Sequence, residues 1–71
     1  MPKFPVLSGK DVCKILEHHG FVQVRQRGSH VVMQKITENT TITIPVPDHK
    51  ELRIGTLQAI IRQSGLAKGS F

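Results

Sequence analysis

The sequence predicts an α+β domain with the element order α-β-β-β-α. Two stretches carry apolar residues at helical spacing, and three short stretches between them alternate apolar and polar residues. Turn residues divide the alternating stretches with short connections, which favours an antiparallel meander. Because each predicted helix has one apolar stripe and the sheet has one apolar face, we expect both helices on the same face of the sheet.

The first helix is predicted over about residues 9–19. Ser8 can cap its N-terminus, and Asp11 occupies the capping-box position three residues later. The apolar stripe of this helix, at spacings of three and four, is Val12, Ile15, Leu16 and His19. Gly20 is expected to end the helix in a left-handed conformation, so that Phe21 folds back on its last turn.

A β-hairpin is predicted around Gly28-Ser29, since glycine at the first central position suits a two-residue type II′ turn. This turn sets a register in which Arg27 pairs with His30. Continued along both strands, the register gives the pairs Gln26–Val31, Arg25–Val32, Val24–Met33, Gln23–Gln34 and Val22–Lys35. The expected apolar face is Val22, Val24, Val31 and Met33. The expected polar face is Gln23, Arg25, Arg27, His30 and Gln34.

A second turn is predicted at residues 37–40, followed by a strand over residues 41–46. The alternation places Ile42, Ile44 and Val46 inward and Thr41 and Thr43 outward. The turn pairs Ile44 with Met33 and Thr43 with Gln34. Pro45 lacks an amide donor, which suits the edge position that the strand order 1-2-3 gives it.

A second helix is predicted after the sheet. Asp48 is expected to cap a helical turn reaching Glu51, and a second helix is expected to begin close to Gly55 and end before Gly65. The stripe of that helix is Ile54, Leu57, Ile60 and Ile61. Pro2 and Pro5 indicate an extended lead-in, and the tail over residues 67–71 is expected to be mobile.

Composition limits the function classes. The 71 residues are expected to form one domain, with a core over about residues 8–66. The chain has one cysteine, which excludes an internal disulfide and indicates a reduced, cytoplasmic protein. Apolar runs such as residues 31–33 are far below the ~20 residues of a membrane-spanning helix. The His and Cys spacing matches no metal site, and no motif indicates a cofactor. The net charge of +5 favours a polyanionic partner, either nucleic acid or an acidic protein.

The polar sheet face is the candidate functional surface. Arg25 and Arg27 can neutralise phosphates, and Gly28 lets a substrate approach the backbone closely. His30 can exchange a proton near neutral pH, as general acid–base chemistry requires, and Ser29 can orient a phosphate. Gln34 and Thr43 complete the surface. An ordinary solvated sheet face has similar residues, so the pattern alone also allows a surface without chemistry.

Several motifs resemble the HicA toxins of HicA–HicB toxin–antitoxin systems. They are Gly28-Ser29-His30, then Ile44-Pro45-Val46-Pro47, then the segment from Lys50 to Leu57 that contains Gly55-Thr56-Leu57, and Arg62-Gln63-Ser64-Gly65-Leu66. The resemblance runs from about Ser8 to Leu66. It implies a double-stranded-RNA-binding-domain-like fold and an mRNA interferase that cleaves RNA and inhibits translation. It also implies that His30 is the essential histidine and that a HicB-like antitoxin masks the basic face.

Two other function classes fit the same residues. A non-catalytic RNA-binding module would bind RNA in a salt-dependent manner and leave it intact. An adaptor would use the basic face to bind an acidic protein, and RNA would bind weakly.

Overall fold

The computed structural model describes residues 6–71 and confirms the predicted element order. The elements are α1 (Gly9–His18), β1 (Val22–Arg27), β2 (His30–Ile36), β3 (Thr41–Pro47) and α2 (Ile54–Ser64), followed by a short 3-10 helix over Lys68–Ser70. The strands form one antiparallel sheet in the order β1-β2-β3, so Pro45 lies on an edge strand as expected. The extended lead-in expected at Pro2 and Pro5 lies outside the described residues.

One aliphatic core lies between the helices and the sheet. Both helices contribute to it from the same side, which confirms the two-layer arrangement. The buried core residues are Val12, Leu16, Phe21, Met33, Ile44, Val46, Leu52, Leu57 and Ile60. The predicted pairing of Met33 with Ile44 brings together two fully buried side chains near the centre of this core.

Local hydrogen bonds define both ends of α1. The Ser8 hydroxyl accepts from the Asp11 amide at 3.0 Å, and the Asp11 carboxylate accepts from the Ser8 amide at 3.0 Å, which is the predicted capping box. At the other end, Gly20 has a φ of 95° and the Phe21 amide donates to the Leu16 carbonyl at 3.0 Å. Phe21 therefore folds back into the core, as expected.

Gly9 allows α1 to begin directly against the end of β3. Its amide donates to the His49 carbonyl at 2.9 Å. A Cβ at this position would overlap the carbonyl oxygen of Pro47. Glycine is therefore required for the close approach between the helix and the strand.

A β-bulge at Val24 makes part of the predicted β1 register wrong. Arg25–Val32, Gln26–Val31 and Arg27–His30 pair as expected, but beyond the bulge Gln23 pairs with Met33 and Val22 with Gln34. The expected pairs Val24–Met33, Gln23–Gln34 and Val22–Lys35 do not form.

The bulge also exchanges the faces of three side chains. Val22 and Val24, expected in the core, are 59% and 44% exposed. Gln23, expected on the polar face, instead lines a cleft with residues of α1. The physical reason is that Phe21, immediately before the strand, already fills the core at this edge.

The segment before α2 differs from the expected helical turn. No helix forms over residues 48–51, and the Asp48 amide donates to the Ser29 carbonyl at the hairpin tip. Leu52 enters the core from an extended segment, with its amide donating to the Leu7 carbonyl at 2.8 Å. Ile54, expected on the buried stripe, is the first residue of the helix and is 60% exposed.

The segment after α2 folds back toward the core. Gly65 ends α2 with a φ of 73°, as predicted. The buried Ser64 hydroxyl donates to the Ile61 carbonyl at 2.8 Å and accepts from the Leu66 amide at 3.1 Å. Leu66 and Phe71 pack against the core.

Candidate functional site

The sheet surface that faces away from both helices is called the open face here. Strand register places its side chains, because directly paired residues in an antiparallel sheet point to the same side. The open face contains Val22, Val24, Arg25, Arg27, His30, Val32, Gln34, Thr43 and Pro45. It therefore includes four of the predicted polar residues of the hairpin but not Gln23.

The hairpin tip that precedes His30 has the predicted geometry. Gly28 has a φ of 57° and Ser29 does not have a positive φ, as a type II′ turn requires. The side-chain amide of Gln26 donates to the Gly28 carbonyl at 3.4 Å, and the Ser29 carbonyl accepts from the Asp48 amide at 2.6 Å. The tip is thus connected to the residue that follows β3.

His30 is the first residue of β2 and lies in the middle strand of the sheet. It pairs with Arg27 on one side and with Pro47 on the other, and its side chain is exposed. Backbone pairing on both sides determines where the imidazole leaves the sheet, while exposure leaves it accessible to a substrate.

The basic residues of the open face lie on the edge strand. Arg25 and Arg27 are both exposed and alternate with Gln26, so both belong to the same side of β1. Consecutive side chains on one face of a strand are two positions apart in sequence, a spacing of about 7 Å. This spacing is close to the distance between successive phosphates of a nucleic-acid strand, so the two guanidinium groups can contact neighbouring phosphates.

A shallow concavity of about 340 Å³ lies beside these arginines. Its floor includes Gln34, whose side-chain amide donates to the Thr43 hydroxyl at 3.3 Å across β2 and β3. Shallow, open surfaces suit a polymer or a protein better than a small molecule, which typically occupies an enclosed cleft.

The sequence prediction did not include the aliphatic residues of the open face. Val24, Val32 and Pro45 line the same concavity as the arginines. The pairing of Val32 with Arg25 already placed that valine outward, so a signal for it existed in the sequence. The bulge that brings Val24 to this side left no such signal.

The other reactive side chains lie away from the open face. Cys13 on α1 is half-buried, and burial, followed by the charges of Glu17 and Asp48, raises the pKa of its thiol. His49 lines a cleft beside the start of α1 with Ser8 and Lys10.

Within residues 6–71, no group of three or more His, Cys, Asp or Glu side chains is arranged to hold a metal ion. None of the helices described is both long and apolar enough to cross a membrane.

Comparison with known proteins agrees with this architecture. A family model described as the HicA toxin of bacterial toxin–antitoxin systems matches residues 9–66, from the start of α1 to just beyond α2. No curated protein and no solved structure matches the chain. Since the family model spans most of the 71 residues, the chain belongs to the HicA toxin family and is the toxin of a toxin–antitoxin system, which implies an antitoxin partner.

Proposed function

We propose that this toxin is a metal-independent endoribonuclease that cleaves mRNA and thereby inhibits translation, and that a HicB-like antitoxin neutralises it. The observation that carries the proposal is the exposed His30, paired with Arg27 on a sheet face that the helices leave free. An ionisable imidazole beside a guanidinium group provides proton exchange and phosphate binding at one place.

The reaction uses a nucleophile that RNA itself contains. The ribose 2′-hydroxyl attacks the adjacent phosphorus, the bond to the 5′-oxygen of the next nucleotide breaks, and that oxygen takes up a proton. The expected products are a 2′,3′-cyclic phosphate and a 5′-hydroxyl end. The protein must assist removal of one proton, stabilise charge on the phosphate and assist delivery of the other proton.

The residues of the hairpin supply these roles in the proposal. His30 is the general base or the general acid. Arg25 and Arg27 stabilise charge on the phosphate, while Gly28 and Ser29 let the RNA backbone approach and orient it, and Gln34 provides a further polar contact. One imidazole performs one proton transfer at a time, so a water or a second group completes the cycle.

The decisive experiment compares the native chain with His30→Ala on purified RNA in the presence of excess chelator. We expect the native chain to generate cyclic phosphate ends and His30→Ala to generate none, with unchanged circular dichroism because the side chain is exposed. His18→Ala, at an exposed histidine on α1, is the matched control and should cleave normally.

A second arm tests the nucleophile. RNA with a 2′-deoxy nucleotide at the cut site should resist cleavage, and persistent cleavage there would exclude the mechanism. Salt-dependent binding of intact RNA by the native chain would instead identify the non-catalytic module. Cleavage that chelator abolishes would contradict the metal-independent reaction.

A further inference from the structure

A polar pair of side chains lies in the concavity beside the arginines. Gln34 is half-buried on the middle strand, and its side-chain amide donates to the Thr43 hydroxyl at 3.3 Å. This hydrogen bond uses one amide proton, so the glutamine can still accept at its carbonyl oxygen and donate its second amide proton. The concavity therefore contains an oriented acceptor next to a donor, a combination that can recognise the polar edge of a planar ligand.

The floor of the same concavity is aliphatic. Val32 is half-buried between its strand partners Arg25 and Pro45, and the bulge adds Val24, which is 44% exposed. Aliphatic area gains free energy when a flat apolar surface covers it. The face of a nucleobase is such a surface. The three strands contain no Phe, Tyr or Trp, so the valines and the proline are the groups on which a base can lie.

Strand register places this concavity next to the proposed position of cleavage. Along β2 the successive residues of the open face are His30, Val32 and Gln34, with a spacing of about 7 Å between neighbours. A phosphate held beside His30 would place the base of an adjoining nucleotide over Val32, with the edge of that base toward Gln34. Arg25 pairs with Val32 and can contact the next phosphate.

We propose that the concavity is a nucleobase subsite that selects adenine at one of the two nucleotides flanking the cut, and that Gln34 is the residue that determines this specificity. Thr43 is a positioning residue, since its hydroxyl holds the glutamine amide in place. The location of the cut rests on the proposed function, whereas the preference for a base does not require cleavage.

Adenine is the base that matches this chemistry. Its amino group lies next to a ring-nitrogen acceptor on both the Watson–Crick and the Hoogsteen edge, and a glutamine amide forms the complementary pair of hydrogen bonds. Guanine instead presents two acceptors on its Hoogsteen edge. Pyrimidines are smaller and cover less of the aliphatic floor.

The test uses oligonucleotides with a single ribonucleotide among 2′-O-methyl nucleotides, so that only one bond can be cleaved. The base on either side of that bond is varied in turn. We expect kcat/KM of the native chain to be about tenfold higher for adenine than for uracil at one of the two positions. Gln34→Leu should reduce this preference to within about twofold. Gln23→Leu, at an exposed glutamine that lines the cleft with α1, is the matched control and should keep the preference.

Two further comparisons separate recognition from stability. Thr43→Val keeps the shape and strand preference of threonine but frees the glutamine amide, so the preference should fall to about threefold. Replacing adenine by purine, which lacks the amino group, should lower kcat/KM of the native chain about tenfold and that of Gln34→Leu less than twofold. A variant that is merely less stable would lose activity on both substrates equally.

Three results would overturn the proposal. They are equal kcat/KM for all four bases at both positions, a preference for a base other than adenine, and an adenine preference that Gln34→Leu retains. Cleavage without base preference removes the subsite and leaves the proposed endoribonuclease intact. If the native chain cleaves no RNA, the proposed function fails, but binding of the same oligonucleotides, measured by fluorescence anisotropy, still decides whether Gln34 selects adenine.

Discussion

Exposure distinguishes the two potentially reactive residue types in this toxin. His30 projects from the open face, whereas Cys13 on α1 is half-buried beside the core. Sequence predicted the position of His30, because period-two alternation placed this histidine outward. Reactivity at each side chain should follow this difference in environment.

Cys13 should therefore react slowly with alkylating reagents. Burial and the nearby carboxylates raise the pKa of its thiol, so less thiolate is present in the folded protein at a given pH. We expect iodoacetamide to modify Cys13 several times more slowly in the folded protein than in urea at pH 8, as followed by mass spectrometry. Equal rates would contradict the burial effect. Because the folded state keeps the Cys13 thiol protonated to higher pH than the unfolded chain does, the free energy of unfolding falls as the pH rises through the folded-state pKa.

Asp11 should make the fold sensitive to acid. Hydrogen bonds from the Ser8 amide and then the Ser8 hydroxyl lower the pKa of its carboxyl below the ordinary value of 3.8. A lowered folded-state pKa gives stability that is present above that ordinary value and lost as the pH falls through the folded-state pKa. Asp11→Asn should flatten the acid limb of the unfolding free energy measured in urea. Glu38→Gln, in the exposed second turn, should leave the limb unchanged.

Replacing glycine by alanine should have opposite effects on stability at Gly9, which is closely packed, and at Gly55, which is not. Alanine favours helix over glycine, yet a Cβ at Gly9 would overlap the Pro47 carbonyl. We expect Gly9→Ala to lower the free energy of unfolding by about 1–3 kcal/mol. Gly55, inside α2, has open space around it, so Gly55→Ala should raise stability by about 0.5–1 kcal/mol. Thermal unfolding measures both, and a stabilising Gly9→Ala would contradict the close approach.

The elements were predictable where local chemistry determines them. The capping box at Ser8, the turn at Gly28 and the helix end at Gly65 each depend on residues close in sequence, and each was confirmed. The bulge at Val24 and the burial of Leu52 depend on how distant segments fill the core. The sequence pattern within these segments does not indicate how distant residues fill the core. Alternation alone therefore assigned Val24 to the wrong face.

The protein as a whole arranges its layers so that neither helix covers one face of the sheet. Both helices cover the other face, and the carboxylates of the chain all lie on helices, turns and loops. Sequence therefore predicted the basic, histidine-bearing surface of the candidate site. Its aliphatic part could not be predicted in full, because that part depends on a single extra residue in an edge strand.

If the open face is the RNA interface, the position of each arginine, rather than the total charge of the protein, should determine how strongly RNA binds. In a His30→Ala background that prevents cleavage, Arg25→Gln and Arg27→Gln should each reduce the slope of log K against log salt by about 0.7–0.9, because each removes one phosphate contact. Arg62→Gln, at an exposed position in the last turn of α2, lowers the net charge equally and should leave the slope unchanged. Fluorescence anisotropy with a labelled RNA at several salt concentrations measures all three. Equal slope changes would show that RNA responds only to net charge, and the assignment of RNA binding to the open face would then fail.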